Sequence, residues 1–214
     1  MRMRTLSILV ALALLPTAAW AQHQGEKEIT PQIGWQYGGT QEYSSYPGYA
    51  AGDFHANANL NYGGMLSIFI RDYYAIEFAY SYQSTDLLIR PNGFPDTKIA
   101  DLAAQYIHLY GTRVIPTQGG KTDLFAMGGF GATTFSAGSP YESRWLFSFG
   151  AGIGAKVHMN PKTSLRLQTR LLIPIQWGSA GFYFGTGGSG IDVGGGSSIV
   201  QGDVSLGLAI KLGT

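Results

Sequence analysis

The 214-residue chain contains no cysteine, which excludes a disulfide framework, a thiolate metal site and a lipid-modified cysteine. Charged residues are also scarce, at 13% against about 25% in soluble domains. No apolar run beyond the first 21 residues is long enough for a helix, and the mean hydropathy is only +0.03. Low charge without long apolar runs favours membrane strands, in which apolar and polar side chains alternate.

The charge balance gives no sign of a nucleic-acid-binding surface. The chain carries 14 Lys and Arg and 13 Asp and Glu. Arg2 and Arg4 fall in the first 21 residues, so the remainder has 12 basic residues against 13 acidic ones. Because nucleic-acid-binding domains are strongly basic, we expect no nucleic acid partner.

The first 21 residues have the layout of a cleaved signal peptide. Arg2 and Arg4 precede the apolar run Leu6–Leu15, and Ala19-Trp20-Ala21 forms a small-x-small cleavage site. A membrane anchor is the alternative, but the run is well short of the ~20 apolar residues of a spanning helix. We therefore predict a signal peptide over residues 1–21 and one domain over residues 22–214.

The segment Trp145–Met159 alternates with a period of two, which indicates a β-strand with two different faces. One face is apolar throughout: Trp145, Phe147, Phe149, Ala151, Ile153, Ala155, Val157 and Met159. The other is mostly small or polar: Leu146, Ser148, Gly150, Gly152, Gly154, Lys156 and His158. The apolar face suits lipid, and the small face suits a narrow, partly polar lumen.

Similar alternation along the chain predicts eight strands. They are expected near residues 28–38, 54–70, 74–83, 99–115, 123–135, 145–159, 164–177 and 203–212. Short turns near Asp72, Gln118 and Pro161 alternate with longer loops near Ser45, Gly93, Pro140 and Gly188. Since a sheet in lipid must close on itself, we predict an all-β, eight-stranded antiparallel up-and-down transmembrane β-barrel. The short turns are placed in the periplasm and the longer loops outside the cell.

Three stretches, Leu124–Gly131, Phe149–Gly154 and Ser164–Leu167, carry a resemblance to a known family. With them the chain resembles the small outer-membrane β-barrels, which include the OmpA membrane domain and OmpX-type and opacity-type proteins. The resemblance implies a porin-like monomer in the outer membrane of a Gram-negative cell envelope. It also implies contact with outer-membrane lipid and lipopolysaccharide, insertion by the barrel-assembly machinery, no cofactor and no shared enzymatic activity. The chain departs from the family by ending Lys211-Leu212-Gly213-Thr214, without a terminal aromatic residue.

Several charged side chains fall on the inward faces of these strands. They are Glu77, Lys156, Arg166, Arg170, Asp203 and Lys211. In a narrow lumen, charges of opposite sign should pair, because an unpaired buried charge is costly. The main interpretation is a salt-bridged interior that plugs the barrel. The alternative is a small channel whose excess of basic groups would favour anions.

Aromatic residues are expected at the two membrane interfaces, where amphipathic rings are favoured. The predicted interface residues are Trp35, Tyr74, Tyr80, Tyr82, Trp145 and Trp177. Tyr43, Tyr46 and Tyr49 lie instead in the predicted loop 40–53 and form good contact surface for a partner. An ordinary packed external loop is the alternative.

No catalytic residue and no metal site is predicted. The four histidines, His23, His55, His108 and His158, are scattered, and no Gly-x-Ser-x-Gly elbow is present. His108 lies between Tyr106 and Tyr110 on one strand face, which suggests packing in an aromatic girdle. The primary hypothesis is a structural or surface-interaction protein. A small channel, a lipid-modifying enzyme and a soluble lipocalin-like barrel are the alternatives.

Overall fold

A computed structural model describes residues 24–43, 51–137, 143–175, 180–185, 188–193 and 200–212. The strands are β1 (Lys27–Tyr37), β2 (Thr40–Tyr43), β3 (Gly52–Ala56), β4 (Asn59–Arg71), β5 (Tyr74–Pro91), β6 (Thr97–Pro116), β7 (Thr122–Ala137), β8 (Arg144–Asn160), β9 (Thr163–Ile175), β10 (Ala180–Gly185), β11 (Gly188–Val193) and β12 (Gln201–Lys211). Within these ranges, no helix has the length and hydropathy needed to cross a bilayer. The predicted signal peptide and Trp177 lie outside the described residues.

Eight strands form a closed antiparallel ring. Its order is β1-β4-β5-β6-β7-β8-β9-β12, and β12 pairs back with β1. The short turns lie at one end, at Asp72–Tyr73, residues 117–121 and Pro161–Lys162. The predicted eight-stranded antiparallel barrel is therefore confirmed.

Side chains alternate between the two faces of the barrel wall. On β5, Ile76 and Phe78 point outward with 43% and 50% of their surface exposed, whereas Glu77 between them is 1% exposed. The other ring strands show the same alternation: exposed apolar residues occupy one set of alternate positions, and buried polar residues occupy the other. Apolar side chains thus face hydrocarbon and polar ones face the lumen, the reverse of a soluble lipocalin-like barrel, so that alternative is wrong.

The glycines of β8 make room for large side chains inside the lumen. A Cβ atom on Gly150 would lie 2.4 Å from the Tyr110 hydroxyl oxygen, and one on Gly154 would lie 2.4 Å from Cζ of Phe125. The small face of β8 is therefore matched to bulky residues that β6 and β7 direct into the lumen.

Strand lengths differ from the prediction at the extracellular end. The predicted strand 54–70 is divided between β3 and β4, and β5 continues to Pro91, through residues expected to form a loop. Part of the predicted glycine-rich loop forms the β10–β11 hairpin. Beyond the bilayer both faces of a strand can be polar, so hydrophobic alternation no longer marks strands there.

The β5–β6 hairpin extends beyond the membrane. β5 has 18 residues and β6 has 20, whereas a tilted strand crosses the bilayer with about 9–11. β3 pairs with residues 87–91 of β5, and β2 pairs with β3. We call β2, β3 and the outer ends of β5 and β6 the outer extension.

Candidate functional site in the barrel lumen

The Glu77–Arg166 ion pair spans the lumen. The two residues lie on β5 and β9, which occupy opposite positions in the ring. The Arg166 guanidinium donates to both Glu77 carboxylate oxygens, at 2.6 and 2.8 Å. Ser67 and Thr112 each donate a hydroxyl to one of these oxygens, at 2.8 and 2.7 Å. The buried carboxylate therefore has four donors, which offset the cost of removing it from water.

The Arg166 guanidinium has further contacts that hold it in place. Its Nε donates to Oε1 of Gln168 at 2.8 Å, and its Cζ lies 4.2 Å from the centroid of the Phe125 ring. Gln168 in turn donates to Gln32 on β1 at 3.0 Å. Arg166 is therefore positioned by Gln168 on its own strand and by Phe125 on β7, as well as by Glu77.

A second ion pair lies closer to the extracellular end. Arg170 donates to both oxygens of Asp203, at 3.0 and 2.5 Å, from directly opposite positions on β9 and β12. Asn61 donates to Asp203 at 3.1 Å and to Gln36 at 3.1 Å. Gln36 donates across the lumen to the Tyr106 hydroxyl at 2.8 Å. This network connects five strands, β1, β4, β6, β9 and β12, which are not all neighbours in the ring.

A third ion pair lies closer to the periplasmic end. Lys156 on β8 donates to Glu28 on β1, and its Nζ lies 5.2 Å from the Phe69 ring centroid. Lys211 lies at the periplasmic rim, partly exposed, with its Nζ 2.8 Å from Oε1 of Glu26. Of the predicted lumen residues, the structure buries Glu77, Lys156, Arg166, Arg170 and Asp203 to 2% exposure or less.

Sequence reasoning missed two buried acids, Glu28 and Asp123. Both occupy inward positions by strand parity, which could have identified them. Within the described residues the buried carboxylates are Glu28, Glu77, Asp123 and Asp203, against the buried bases Lys156, Arg166 and Arg170. The expected excess of basic groups in the lumen is therefore wrong.

Asp123 belongs to a hydrogen-bonded group with His158 and Ser164. His158 Nε2 lies 2.8 Å from Oδ2 of Asp123, and its Nδ1 lies 2.8 Å from the Ser164 hydroxyl. These are the residue types of a charge-relay triad, but Ser164 is 2% exposed and its hydroxyl is closed to a substrate in this conformation. The group connects β7, β8 and β9 near the periplasmic turns.

The expected aromatic girdle around His108 is wrong. Tyr106, His108 and Tyr110 point into the lumen and are buried, with ring centroids of successive residues 6.3 and 5.4 Å apart. His108 Nε2 lies 2.9 Å from the Ser148 hydroxyl. Both faces of β6 carry large residues, so parity was ambiguous until the pairing with β5 determined it.

The predicted interface aromatics that are described lie on the outer wall. Trp35, Tyr74, Tyr80 and Trp145 are exposed, and Tyr82 is half-buried with its ring 5.3 Å from that of Tyr62. Their position at the membrane interfaces stays a prediction. Across the described part of the chain, no group of His, Cys, Asp and Glu residues is arranged to hold a metal ion.

Comparison with known proteins agrees with this architecture. Residues 7–194 match the family of the outer membrane protein beta-barrel domain. No curated protein shows a significant sequence match.

Solved structures show the same fold at low sequence identity. Neisserial surface protein A is 10% identical with a TM-score of 0.54, over 86% of this chain and 97% of that one. OprG from Pseudomonas aeruginosa is 9% identical with a TM-score of 0.56, over 90% and 98%. AlkL, solved in DMPC bilayers, is 11% identical with a TM-score of 0.54, over 90% and 92%. The chain belongs to the outer membrane protein beta-barrel domain family and is an integral β-barrel protein of the outer membrane.

Proposed function

We propose that this protein is a closed membrane anchor that presents a rigid outer extension to a surface partner, and that it does not conduct solutes. The observation that carries the proposal is the burial of the cross-lumen ion pairs. The charged side chains of these pairs are almost inaccessible to solvent inside the barrel. Each is 1% exposed: Glu77, Arg166, Lys156 and Glu28.

Opening the lumen would require several of these contacts to break together. Glu77–Arg166, Lys156–Glu28 and Gln36–Tyr106 each join strands that are not neighbours. Separating one buried ion pair costs about 3–5 kcal/mol, because it leaves an uncompensated charge. The closed lumen therefore favours a plug over the alternative of a small channel.

The outer extension has its own ion pairs, which support a role as a rigid platform. Arg90 donates to both oxygens of Asp96, at 2.5 and 2.9 Å. His55 of β3 lies 3.3 Å from Asp96 and 3.2 Å from Asp53. These contacts fasten β3 to the tip of the β5–β6 hairpin. A fastened sheet loses less conformational entropy when a partner binds.

The predicted loop 40–53 contains β2 and the first two residues of β3. We propose that this segment forms the partner surface through Tyr43, Tyr46 and Tyr49, of whose side chains the structure describes nothing. We further propose that the protein is a monomer in contact with lipopolysaccharide. The barrel-assembly machinery would insert it into the outer membrane. We propose no catalytic role for the buried Ser164.

Planar-bilayer recording tests the closed lumen. We expect no steady conductance from the unmodified protein, and a conductance in Arg166→Ala plus Arg170→Ala if removal of the plug opens a path. A steady conductance in the unmodified protein that this double variant abolishes would favour the channel. Loss of a lipid-deacylation product in Ser164→Ala would favour the enzyme.

A binding assay tests the platform separately. Cells that display the unmodified protein are compared with cells whose residues 43–50 are replaced by a Gly-Ser linker. We expect surface binding of the partner to be lost while the barrel stays folded. Equal binding by both proteins would contradict the role of the loop.

A further inference from the structure

Two arginines flank a tyrosine on the outer wall of the barrel. Arg71 on β4 is the register partner of Tyr74 on β5, and Tyr74 is the register partner of Arg113 on β6. All three side chains are exposed, and Cζ of Arg113 lies 5.4 Å from the Tyr74 ring centroid. The three residues therefore form one row across three neighbouring strands.

This row lies near the periplasmic end of the membrane-facing surface. Tyr74 follows directly after the short turn Asp72–Tyr73. Away from the turn, the next outward residues are Ile76 on β5 and Gly111 on β6, followed on β6 by exposed Leu109. An arginine on the lipid face costs about 2–4 kcal/mol at the bilayer midplane but only about 0–1 near the interface. A tyrosine is also favoured at the interface. The row thus coincides with the level of the lipid headgroups.

No carboxylate of the described chain pairs with these two guanidinium groups. The ion pairs of the lumen, the rim and the outer extension involve other residues. The neighbouring Asp72 accepts a hydrogen bond from the Gln24 amide at 3.0 Å. Arginine matches the geometry of a phosphate with paired donors, so an external phosphate complements the row.

The wall beside Arg113 carries two glycines, and we call the strip without side chains that they form the depression. Gly111 and Gly128 are register partners with exposed outer faces, and Ala126 is the register partner of Arg113. A Cβ atom added to Gly128 would meet no atom within 4 Å. Exposed Leu109 and Phe130 border the depression on the side away from the periplasm. A strip without side chains and with an apolar border suits an acyl chain.

We infer that Arg71, Tyr74 and Arg113 bind the phosphate of an anionic glycerophospholipid in the periplasmic leaflet, with one acyl chain against Gly111 and Gly128. Two positive charges face one phosphate, so a headgroup with net negative charge is favoured over a zwitterionic one. The ammonium group of a zwitterionic lipid would be repelled by the second arginine.

Native mass spectrometry of the detergent-purified protein tests this site. Phosphatidylglycerol and phosphatidylcholine with identical acyl chains are titrated, and lipid adducts are counted. We expect Arg71→Gln plus Arg113→Gln to weaken phosphatidylglycerol binding about tenfold or more. The matched control, Lys121→Gln plus Lys162→Gln, removes two exposed rim charges elsewhere and should change binding less than about twofold. Equal losses in the two double variants, or equal binding of both lipids, would overturn the inference.

Two further arms separate a lipid site from a site for free phosphate. Gly128→Leu fills the depression on the lipid face and is expected to weaken phosphatidylglycerol binding at least about threefold, because the acyl chain loses its contact. A large excess of inorganic phosphate should leave the lipid adducts in place. Displacement of the lipid by phosphate, or unchanged binding in the Gly128→Leu variant, would contradict the lipid assignment. Heat-modifiable migration on gels verifies that each variant is folded.

Discussion

Arg166 reaches from β9 across the lumen and binds both carboxylate oxygens of Glu77 on β5, at 2.6 and 2.8 Å. The two residues are 89 positions apart in sequence, and both are 1% exposed. The pair therefore braces opposite walls of the barrel and fills the lumen between them.

Glu77→Ala should destabilise the barrel by about 3–5 kcal/mol, because Arg166 would remain charged and buried without its partner. The apolar double variant Glu77→Leu plus Arg166→Met should lose much less free energy of unfolding, because it leaves no unpaired charge. Urea unfolding in lipid vesicles, followed by tryptophan fluorescence, measures both values. A loss in the double variant at least as large as that in Glu77→Ala would contradict the importance of the pairing.

Gly150→Val should lower the free energy of unfolding by about 1–3 kcal/mol, because overpacking forces side chains from their preferred positions. The added Cβ atom would lie 2.4 Å from the hydroxyl oxygen of buried Tyr110. Gly128→Ala on the outer wall is the control, since its Cβ atom meets no atom within 4 Å. The same unfolding assay applies, and equal stability of the two variants would contradict the tight fit.

The outer extension should loosen in acid before the barrel unfolds. The hydrogen bond from Arg90 lowers the pKa of Asp96 below its ordinary value of 3.8. A carboxyl group with a lowered pKa stabilises the folded form at pH values above its ordinary pKa, and this contribution is lost as pH falls through the lowered value. Protection of the amides in β3 and at the β5–β6 tip against hydrogen exchange, relative to the intrinsic exchange rate at the same pH, should therefore fall below about pH 4.

Asp96→Asn is the control for this acid effect. It removes the titrating group, so protection at the β5–β6 tip should be lower at neutral pH and should not fall further in acid. An unchanged acid response in Asp96→Asn would assign the loosening to another group.

Trp145 should lie near a membrane interface if its aromatic ring anchors the barrel. In a variant that retains Trp145 as its single tryptophan, lipids brominated near the headgroup should quench fluorescence more than lipids brominated near the chain end. Phe130→Trp, placed at an exposed position further along the wall, is the reference and should show the opposite order. Stronger quenching of Trp145 by lipids brominated near the chain end would show that this residue does not lie at the membrane interface.

Strand alternation could be predicted where one face of a strand contacts lipid and the other contacts the lumen. β8, β9 and β12 have this contrast, and their observed bounds lie close to the predicted ones. The contrast is weak in β3 and in the outer part of β5, where half-buried residues occur on both faces of the strand. Hydrophobic periodicity reports burial and not hydrogen bonding, so these strands could not be identified from it.

The inward position of Glu77, Arg166, Arg170 and Asp203 followed from strand parity, but their partners did not. Parity assigns a face to each residue and says nothing about which side chains meet across a lumen. His108 lies on β6, both faces of which carry large residues. The sequence alone therefore did not determine which face of β6 points into the lumen.

By itself, the sequence determined that the chain forms a closed eight-stranded barrel with an apolar exterior, because hydrocarbon demands satisfied backbone groups and apolar outward side chains. Only the tertiary structure decided which charges neutralise each other, that Tyr106 and Tyr110 fill the lumen, and that Arg71 and Arg113 flank one tyrosine. These relations depend on the register and tilt of strands distant in sequence, and a shift of one residue in register would reverse the facing of every side chain on a strand.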